Sequence, residues 1–590
     1  TNARGERGPV ADATGKATSS ADPPLGNPPP SPDPAGNVQT MTYDKAGRKI
    51  AGVDPDLGAW SYSYNVLGEL VSQTDAKGQT ATMTYDTLGR PLTRVEPGLT
   101  STWVYDNTAG GQKGIGKLHT ASTSAGYLRT HSYDSLGRPS STAIRSATGE
   151  PTHTVSTVYD SHGRVERIAY PSGFTAQYLY TSLGYQNQMK EYGGATLWTA
   201  NAVDAELRIT QETAGNGVVT TRTFDADRGF VTAIEAGPSG ALASFSYGFD
   251  TLGNLTTRID ATQSLAEHFT YDILNRLVSY QIAGGATKTM TYDDLGNITS
   301  KSDVGAYAYA GAGNHRPHAV KVAGSNAYAY DANGNMTAGA GRTLAWTSFN
   351  KVAAIAQGAT SVSWTYGPEH QRTSQTAPAG TTYYYHAAGV MFEKLVGSTV
   401  TQWADYLFAG GDMVGVKFSR SDQTELTRYF VKDHLGSVAV LTDEQGQVAE
   451  RLSYDPWGKR RYPSGADDPT GSIAASTTRG FTGHEMIDDV GLVNMNGRVY
   501  DPTIGRFLSA DPFIHDVTNS QDLNRYSYAN NNPLSYVDHN GYGFFKKIGR
   551  FFKKMWKPLL AIPAAFALQF YVLPGALSAG TGIGAFGSLS

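Results

Sequence analysis

The sequence predicts an all-β protein: one long antiparallel sheet laid down as consecutive hairpins. Three observations lead there. Tyr (35) and Gly (67) are both abundant, which suits pleated surfaces joined by tight turns. A Tyr-Asp-x-x-Gly-Arg unit recurs through much of the chain. Helical periodicity is weak from Gln39 to Tyr542, whereas stretches such as QTMTY (39–43) and ATMTY (81–85) alternate as half-buried strands do.

Residues 1–38 are polar and concentrate Pro and Gly in PPLGNPPPSPDPAGN. They read as a disordered or polyproline linker, either a plain solvated tail or the attachment to a delivery module upstream. The repeats follow from Met41. Clear copies stand at Tyr43-Asp44, Tyr85-Asp86, Tyr133-Asp134 and Tyr159-Asp160, each closed by Gly and Arg (Gly47-Arg48, Gly89-Arg90, Gly137-Arg138, Gly163-Arg164). Weaker copies stand at Phe249-Asp250, Tyr271-Asp272, Tyr292-Asp293, Tyr330-Asp331 and Tyr454-Asp455. Spacing is commonly about 20 to 40 residues.

Each residue of the unit has a reason. Tyr ends a strand and packs on the neighbouring repeat. Asp opens the turn and accepts backbone N–H groups two residues on. Gly takes the positive φ that the loop needs, and Arg starts the return strand. Such units bury their faces only against neighbours, so 590 residues make one body rather than several domains. A long strip of hairpins twists and curls, and closure would remove its exposed edges. The residues alone leave a shell, a propeller and a flat solenoid open. Further along, Asp433-His434 reads as a turn before a strand from Ser437 to Leu441, and the polar loop Tyr462 to Thr478 reads as an exposed insertion.

Composition excludes several functions. Charge is nearly balanced, 48 Lys plus Arg against 52 Asp plus Glu, so the sheet is not a nucleic-acid binder. Cys is absent, which removes disulfides, zinc-thiolate sites and Cys nucleophiles. His residues show no common spacing, so no metal and no cofactor is expected. Thr1 to Thr40 lacks an apolar signal region and the chain opens without Met. A fragment or processed product is expected, and export would use either a route other than a signal peptide or an N-terminal part that precedes this sequence.

Arg498 to Tyr542 differs from the repeats and carries the candidate chemistry. Asp511 and Asp538 each sit in a turn-like setting, with Arg498 upstream. Two carboxylates brought together split their pKa values, so that an acid and a base coexist and a water can be aimed at a peptide carbonyl. Arg498 could hold one carboxylate charged or stabilise an oxyanion. Read from the residues alone, both aspartates are equally ordinary turn formers, and Arg498 could simply pair with Asp501. Arg506 and Asn524-Arg525 read as structural groups that hold turns.

Three stretches carry a resemblance: DHLGSVAVLTDEQG (433–446), RVYDPTIGRFLSADP (498–512) and NRYSYANNNPLSYVD (524–538). With the repeats, they resemble the Rhs/YD-repeat family and its Rhs-associated core over roughly Gln39 to Tyr542; the C subunit of Tc toxins is similar. The resemblance implies a hollow shell, with the wall at 39–478, the core at 479–542 and a variable toxin region from 543 to 590. It also implies an aspartic peptidase acting only in cis, with Asp511, Asp538 and Arg498 as its catalytic residues. The cut falls between Tyr542 and Gly543; here His539 and Tyr542 stand where the family has Pro and Leu. Implied partners are the protein's own C-terminal toxin as enclosed cargo, a secretion apparatus such as type VI secretion, and an immunity protein or chaperone. Synthesis in the bacterial cytoplasm and export as an effector of interbacterial competition would follow. The rival class is a non-enzymatic surface adhesion protein whose Tyr-rich faces bind carbohydrate.

The tail is distinct. Phe544 to Lys557 (FFKKIGRFFKKMWK) reads as a basic amphipathic helix, and residues 558–575 are apolar but broken by Pro563 and Pro574. The helix either lines the shell or starts a following domain, or else 544–576 contacts a membrane. About 48 residues after the cut are few for a folded enzyme.

Overall fold

The computed structural model describes residues 10–13, 17–18, 31–311, 315–514, 516 and 519–546. Strands from Ser31–Pro32 to Val448–Arg451 each pair antiparallel with the next, so the wall is a single meander. The repeat unit explains its regularity. In the turn after Val38–Tyr43, the Asp44 carboxylate accepts the N–H groups of Ala46 and Arg48, both at 2.9 Å, while its second oxygen takes Arg48 Nε at 2.6 Å. Gly47 sits at φ 78°, a region L side chains avoid. Asp86, Asp134 and Asp160 repeat these bonds with Arg90, Arg138 and Arg164.

The Tyr hydroxyl then ties one repeat to the one before it. Tyr85 donates to the Leu70 carbonyl at 2.8 Å, Tyr133 to Leu118 at 2.6 Å and Tyr159 to Pro139 at 2.8 Å. Arg138 and Arg164 lie 4.3 Å from the ring centroids of the next tyrosines, Tyr159 and Tyr180, a cation–π contact. Thus Arg does more than begin the return strand: it closes its own turn and clamps the next repeat.

The strip winds back over its own start. Asn333 Nδ2 donates to Asp75 Oδ2 at 2.6 Å, Arg94 Nη2 to the Pro368 carbonyl at 2.6 Å, and Lys394 Nζ meets Glu150 at 3.2 Å. Lys417 meets Glu191 at 3.1 Å and Asn216 Nδ2 reaches Thr442 Oγ1 at 2.8 Å. Later positions of the second pass meet later positions of the first throughout, with offsets of 226 to 274 residues, as in a spiral wall. The turn position before Gly records which turns are covered: Leu88 and Leu136 are 73% and 74% exposed, whereas Leu435 and Trp457 are 2% and 0% exposed.

One seam contact should respond to pH. Ser172 Oγ donates to Asp405 Oδ2 at 2.5 Å, joining two passes of the wall. Burial pushes the Asp405 carboxyl up to about 7, against smaller lowering influences from Ser172 and Lys417. Unfolded, the group ionises near its ordinary value of about 4. Between about pH 4 and pH 7 the folded chain therefore holds a proton that the unfolded chain has lost. Stability contributed by this group falls across that window and levels off above it. Asp405→Asn should flatten the decline; thermal melts from pH 4 to 7 that keep the wild-type slope would refute this.

The core region packs on the wall. Its short strands Glu485–Ile487, Leu492–Asn494, Val499–Asp501 and Arg506–Phe507 form a four-stranded sheet. Tyr500, Phe507, Tyr528, Leu534 and Val537 share one apolar cluster with wall residues such as Leu255, Leu277 and Ile355. Polar ties reinforce it: Arg506 bonds the Gly296 carbonyl and Asn531, and Tyr526 OH bonds the Gly334 carbonyl. Arg506 thus holds the turns the sequence reading assigned to it.

Two expectations for the chain ends are adjusted. Ser31–Pro32 pairs with Val38 and Gln39, so the end of the Pro-rich stretch already belongs to the sheet; most of residues 1–30 lies outside the described residues. The amphipathic helix expected from Phe544 is not what its first residues adopt. Phe544–Lys546 is a strand antiparallel to Tyr536–Asp538, because the turn at 539–543 folds it onto an edge with free backbone groups. Residues 547–590, with the rest of that helix and the apolar segment, lie outside the described residues.

Candidate active site

Three segments of the core converge. Arg498 immediately precedes the strand Val499–Asp501, Asp511 follows Arg506–Phe507 in the adjoining turn, and Asp538 ends Tyr536–Asp538. All three side chains are buried. Arg498 Nη2 meets Asp511 Oδ2 at 2.8 Å and Asp538 Oδ2 at 3.4 Å. The two carboxylates thus share one guanidinium nitrogen. Arg498 Nη1 donates to the Arg525 carbonyl at 3.0 Å and Nε to the Gly541 carbonyl at 2.5 Å. Its Cζ lies 3.6 Å from the Phe507 ring centroid, a place that suits a flat guanidinium better than an ammonium. Asp501, the alternative partner for Arg498, is engaged by Arg342 instead.

Asp538 organises the turn that holds the Tyr542–Gly543 peptide. Its Oδ1 accepts the N–H groups of Gly541 at 2.8 Å, Gly543 at 3.1 Å and Asn540 at 3.3 Å. A carboxyl oxygen therefore rests on the amide nitrogen of the Tyr542–Gly543 bond. Burial raises the Asp538 carboxyl; Arg498 and the three N–H groups pull against that without cancelling it. Asp511 Oδ1 accepts the Phe513 N–H at 2.9 Å. Its main chain is pinned as well: its N–H donates to the Arg525 carbonyl at 2.9 Å, and its carbonyl accepts Arg525 Nη1 at 2.5 Å.

The scissile candidate is framed on its other sides. The Tyr542 ring meets Phe513 edge-on at 5.7 Å and lies under Lys351 Nζ at 4.9 Å. Lys351 is held by the carbonyls of Gly497 and Asn496 at 2.7 and 3.2 Å. Gly497 N–H donates to the Asn540 carbonyl at 2.8 Å. His484 Nε2 lies 3.1 Å from the His539 carbonyl. A carbonyl only accepts, so Nε2 carries the hydrogen; Nδ1 lies 2.7 Å from Thr482 Oγ1. Burial lowers His484 to about 4, which keeps the ring neutral at pH 7. His539 and Tyr542 therefore have local partners in this chain.

Sequence reasoning singled out Arg498, Asp511, Asp538, Tyr542 and Gly543, and the fold brings all five together. It read Arg525 only as a turn holder and gave no reason to look at Lys351, His484 or Asp54. Asp433-His434 is not part of the site: Asp433 Oδ1 caps Leu435 and Ser437, and His434 reaches the Leu534 carbonyl.

A spiral wall of Tyr-Asp hairpins capped by this core defines a YD-repeat shell. The Teneurin YD-shell family matches residues 418–534, and the RHS Repeat family matches residues 64–101. These matches fall in the wall and the core and, with the fold, support an Rhs/YD-repeat shell. The chain is similar to the tRNA3(Ser)-specific nuclease WapA of Bacillus spizizenii, 27% identical over 46% of this chain and 12% of that protein. It is also similar to toxin subunit YenC1 of Yersinia entomophaga, 25% identical over 67% of this chain and 47% of that protein. The chain thus spans less than half the length of either relative. In fold it is similar to the Tc holotoxin pore of Photorhabdus luminescens, with a TM-score of 0.73 and 17% identity over 89% of this chain and 29% of that one. The shells it resembles are those of toxin-type proteins.

Proposed function

We propose that this chain is the enclosing wall of an exported toxin and severs itself between Tyr542 and Gly543. The observation that carries the reading is the convergence on Arg498: one guanidinium binds both carboxylates and the Gly541 carbonyl, while Asp538 holds the Gly543 N–H. In this scheme Asp511, kept charged by Arg498, takes a proton from water. The water oxygen bonds to the Tyr542 carbonyl carbon. The bond from that carbon to the Gly543 nitrogen breaks as the nitrogen becomes pyramidal, and Asp538, whose burial favours its protonated form, gives that nitrogen the proton carried on Oδ2, since Oδ1 accepts the N–H groups of Asn540, Gly541 and Gly543. The products are a Tyr542 carboxyl and a Gly543 amine. A proton later passes from Asp511 to Asp538 through solvent and resets the pair.

The shell gives the cut a purpose. Walls around the C-terminal segment would keep a toxic cargo from the producing cell, and cleavage would leave it held only by enclosure. The delivery machinery and an immunity protein or chaperone would act on that cargo. Intact mass of the purified chain tests the scheme. The wild type should appear as residues 1–542 and 543–590. Asp511→Asn should slow the cut by about 10²- to 10⁴-fold, the usual contribution of a general base. A folded wild type that stays whole, or an Asp511→Asn chain that cuts at the wild-type rate, would overturn the assignment.

A further inference from the structure

The cradle of Asp511 is not built by the core alone. Arg525 is its central piece: its carbonyl accepts both Asp511 N–H and Arg498 Nη1, and its own Nη1 donates to the Asp511 carbonyl. The other arm of this buried guanidinium leaves the core. Nε and Nη2 both bind Asp54 Oδ2, at 2.9 and 2.6 Å. Asp54 lies 471 residues upstream, at the turn between strands Lys49–Asp54 and Gly58–Tyr64 of the first pass of the wall. Its Oδ1 caps the N–H groups of Asp56 and Leu57 at 2.9 and 3.0 Å. Asp56 Oδ2 meets His318 Nδ1 at 2.6 Å, and His318 Nε2 lies 3.5 Å from Asp33 Oδ2. Asp33, Asp54, Asp56, His318 and Arg525 are all buried. This chain of polar groups runs from the earliest described turns of the sheet to the main chain of Asp511.

From this geometry we infer that Asp54 is a positioning residue for the cleavage: through Arg525 it fixes where Asp511 stands, so the site is complete only once the first hairpins have met the core. The inference rests on the cleavage reading above and adds a condition to it. The cut would wait for the wall to close around the cargo, because a carboxylate from the wall's beginning is needed to hold the base near its end. Without Asp54, Arg525 is a buried cation whose fork has lost its anchor. Its second arm and its carbonyl, which together hold Asp511, are then free to shift. Misplacement by about 1 Å in such a site costs on the order of 10²-fold.

Three variants separate this role from simple turn building. Asn keeps the shape of Asp54 and can still cap Asp56 and Leu57, since Asp and Asn are both good turn formers and Glu is not. Glu keeps the charge that Arg525 needs. The positioning role predicts that Asp54→Asn cuts about 10- to 100-fold slower and that Asp54→Glu recovers part of the rate. A turn-building role predicts the reverse order. Arg525→Lys keeps a cation opposite Asp54 but loses the fork, and should also slow the cut by at least about 10-fold; it decides the matter if Asp54→Asn does not fold. Cleavage is followed by intact mass on the full chain, with thermal melts beside it to show that the wall is folded. Asp54→Asn cutting within threefold of wild type, or Arg525→Lys doing so where Asp54→Asn fails to fold, overturns the inference. A wild type that never cuts overturns the cleavage reading itself.

Discussion

Arg498→Ala should leave the chain whole and lower its stability by about 3–5 kcal/mol, the usual cost of breaking a buried ion pair from one side. Two buried carboxylates rely on one guanidinium nitrogen. Its removal strands both beside the rings of Phe507, Phe513 and Tyr542, with no cation to offset their burial. Arg498 is the first influence holding Asp538 down against burial, so without it that carboxyl rises further and gives up its proton less readily. Asp511 loses the cation that favours its basic form. The Gly541 carbonyl loses its donor, and with it the turn that presents the Tyr542–Gly543 peptide loosens. Arg498→Lys returns a charge but neither the fork nor the flat face stacked on Phe507, so it should restore part of the stability and little of the cutting. Denaturant midpoints and intact mass read the two effects separately. A fully cut Arg498→Ala chain would remove Arg498 from the mechanism.

What the sequence made legible was local. The Tyr-Asp-x-x-Gly-Arg unit closes its own turn within five residues, as at Asp44 to Arg48, so composition and spacing disclose it. Alternation discloses the strands for the same reason. The spiral was not legible from the residues, because its seam joins positions such as Arg94 with Pro368 and Asn216 with Thr442, whose partnership depends on how far the whole strip curls. The candidate site was legible through long motifs of the core, which kept Arg498, Asp511 and Asp538 in view although each alone resembles an ordinary turn residue. Asp54 carries no such mark: its Asp-Pro-Asp-Leu-Gly turn looks like any other, and only the folded chain brings it to Arg525. At Phe544–Lys546 the apolar spacing pointed to a helix, whereas the open edge of Tyr536–Asp538 offered a strand partner.

Gly541→Ala should slow cutting by on the order of 10²-fold without unfolding the wall. Gly541 sits at φ 75°, where an L residue costs roughly 1–2 kcal/mol. A Cβ there would also lie 2.5 Å from the Met495 carbonyl oxygen, 2.7 Å from Arg498 N and 2.9 Å from Gly497 N. These are backbone atoms of the turn at 495–498 that carries Arg498, and they cannot swing aside as a side chain could. The turn from Asp538 to Gly543 has to move instead. Two contacts break together when it does: the Gly541 carbonyl leaves Arg498 Nε, and the Gly543 N–H leaves Asp538 Oδ1. Since the proposed proton donor rests on that very nitrogen, a shift of about 1 Å should slow the cut by on the order of 10²-fold. Gly389→Ala is the matched control. It has the same left-handed φ, 77°, but nothing within 4 Å of the added carbon, so it carries the backbone cost without the collision. That chain should lose a little stability and cut as the wild type does. If Gly541→Ala cut equally fast, the turn at 538–543 would not be what presents the bond, and the position of the cut would have to be sought elsewhere.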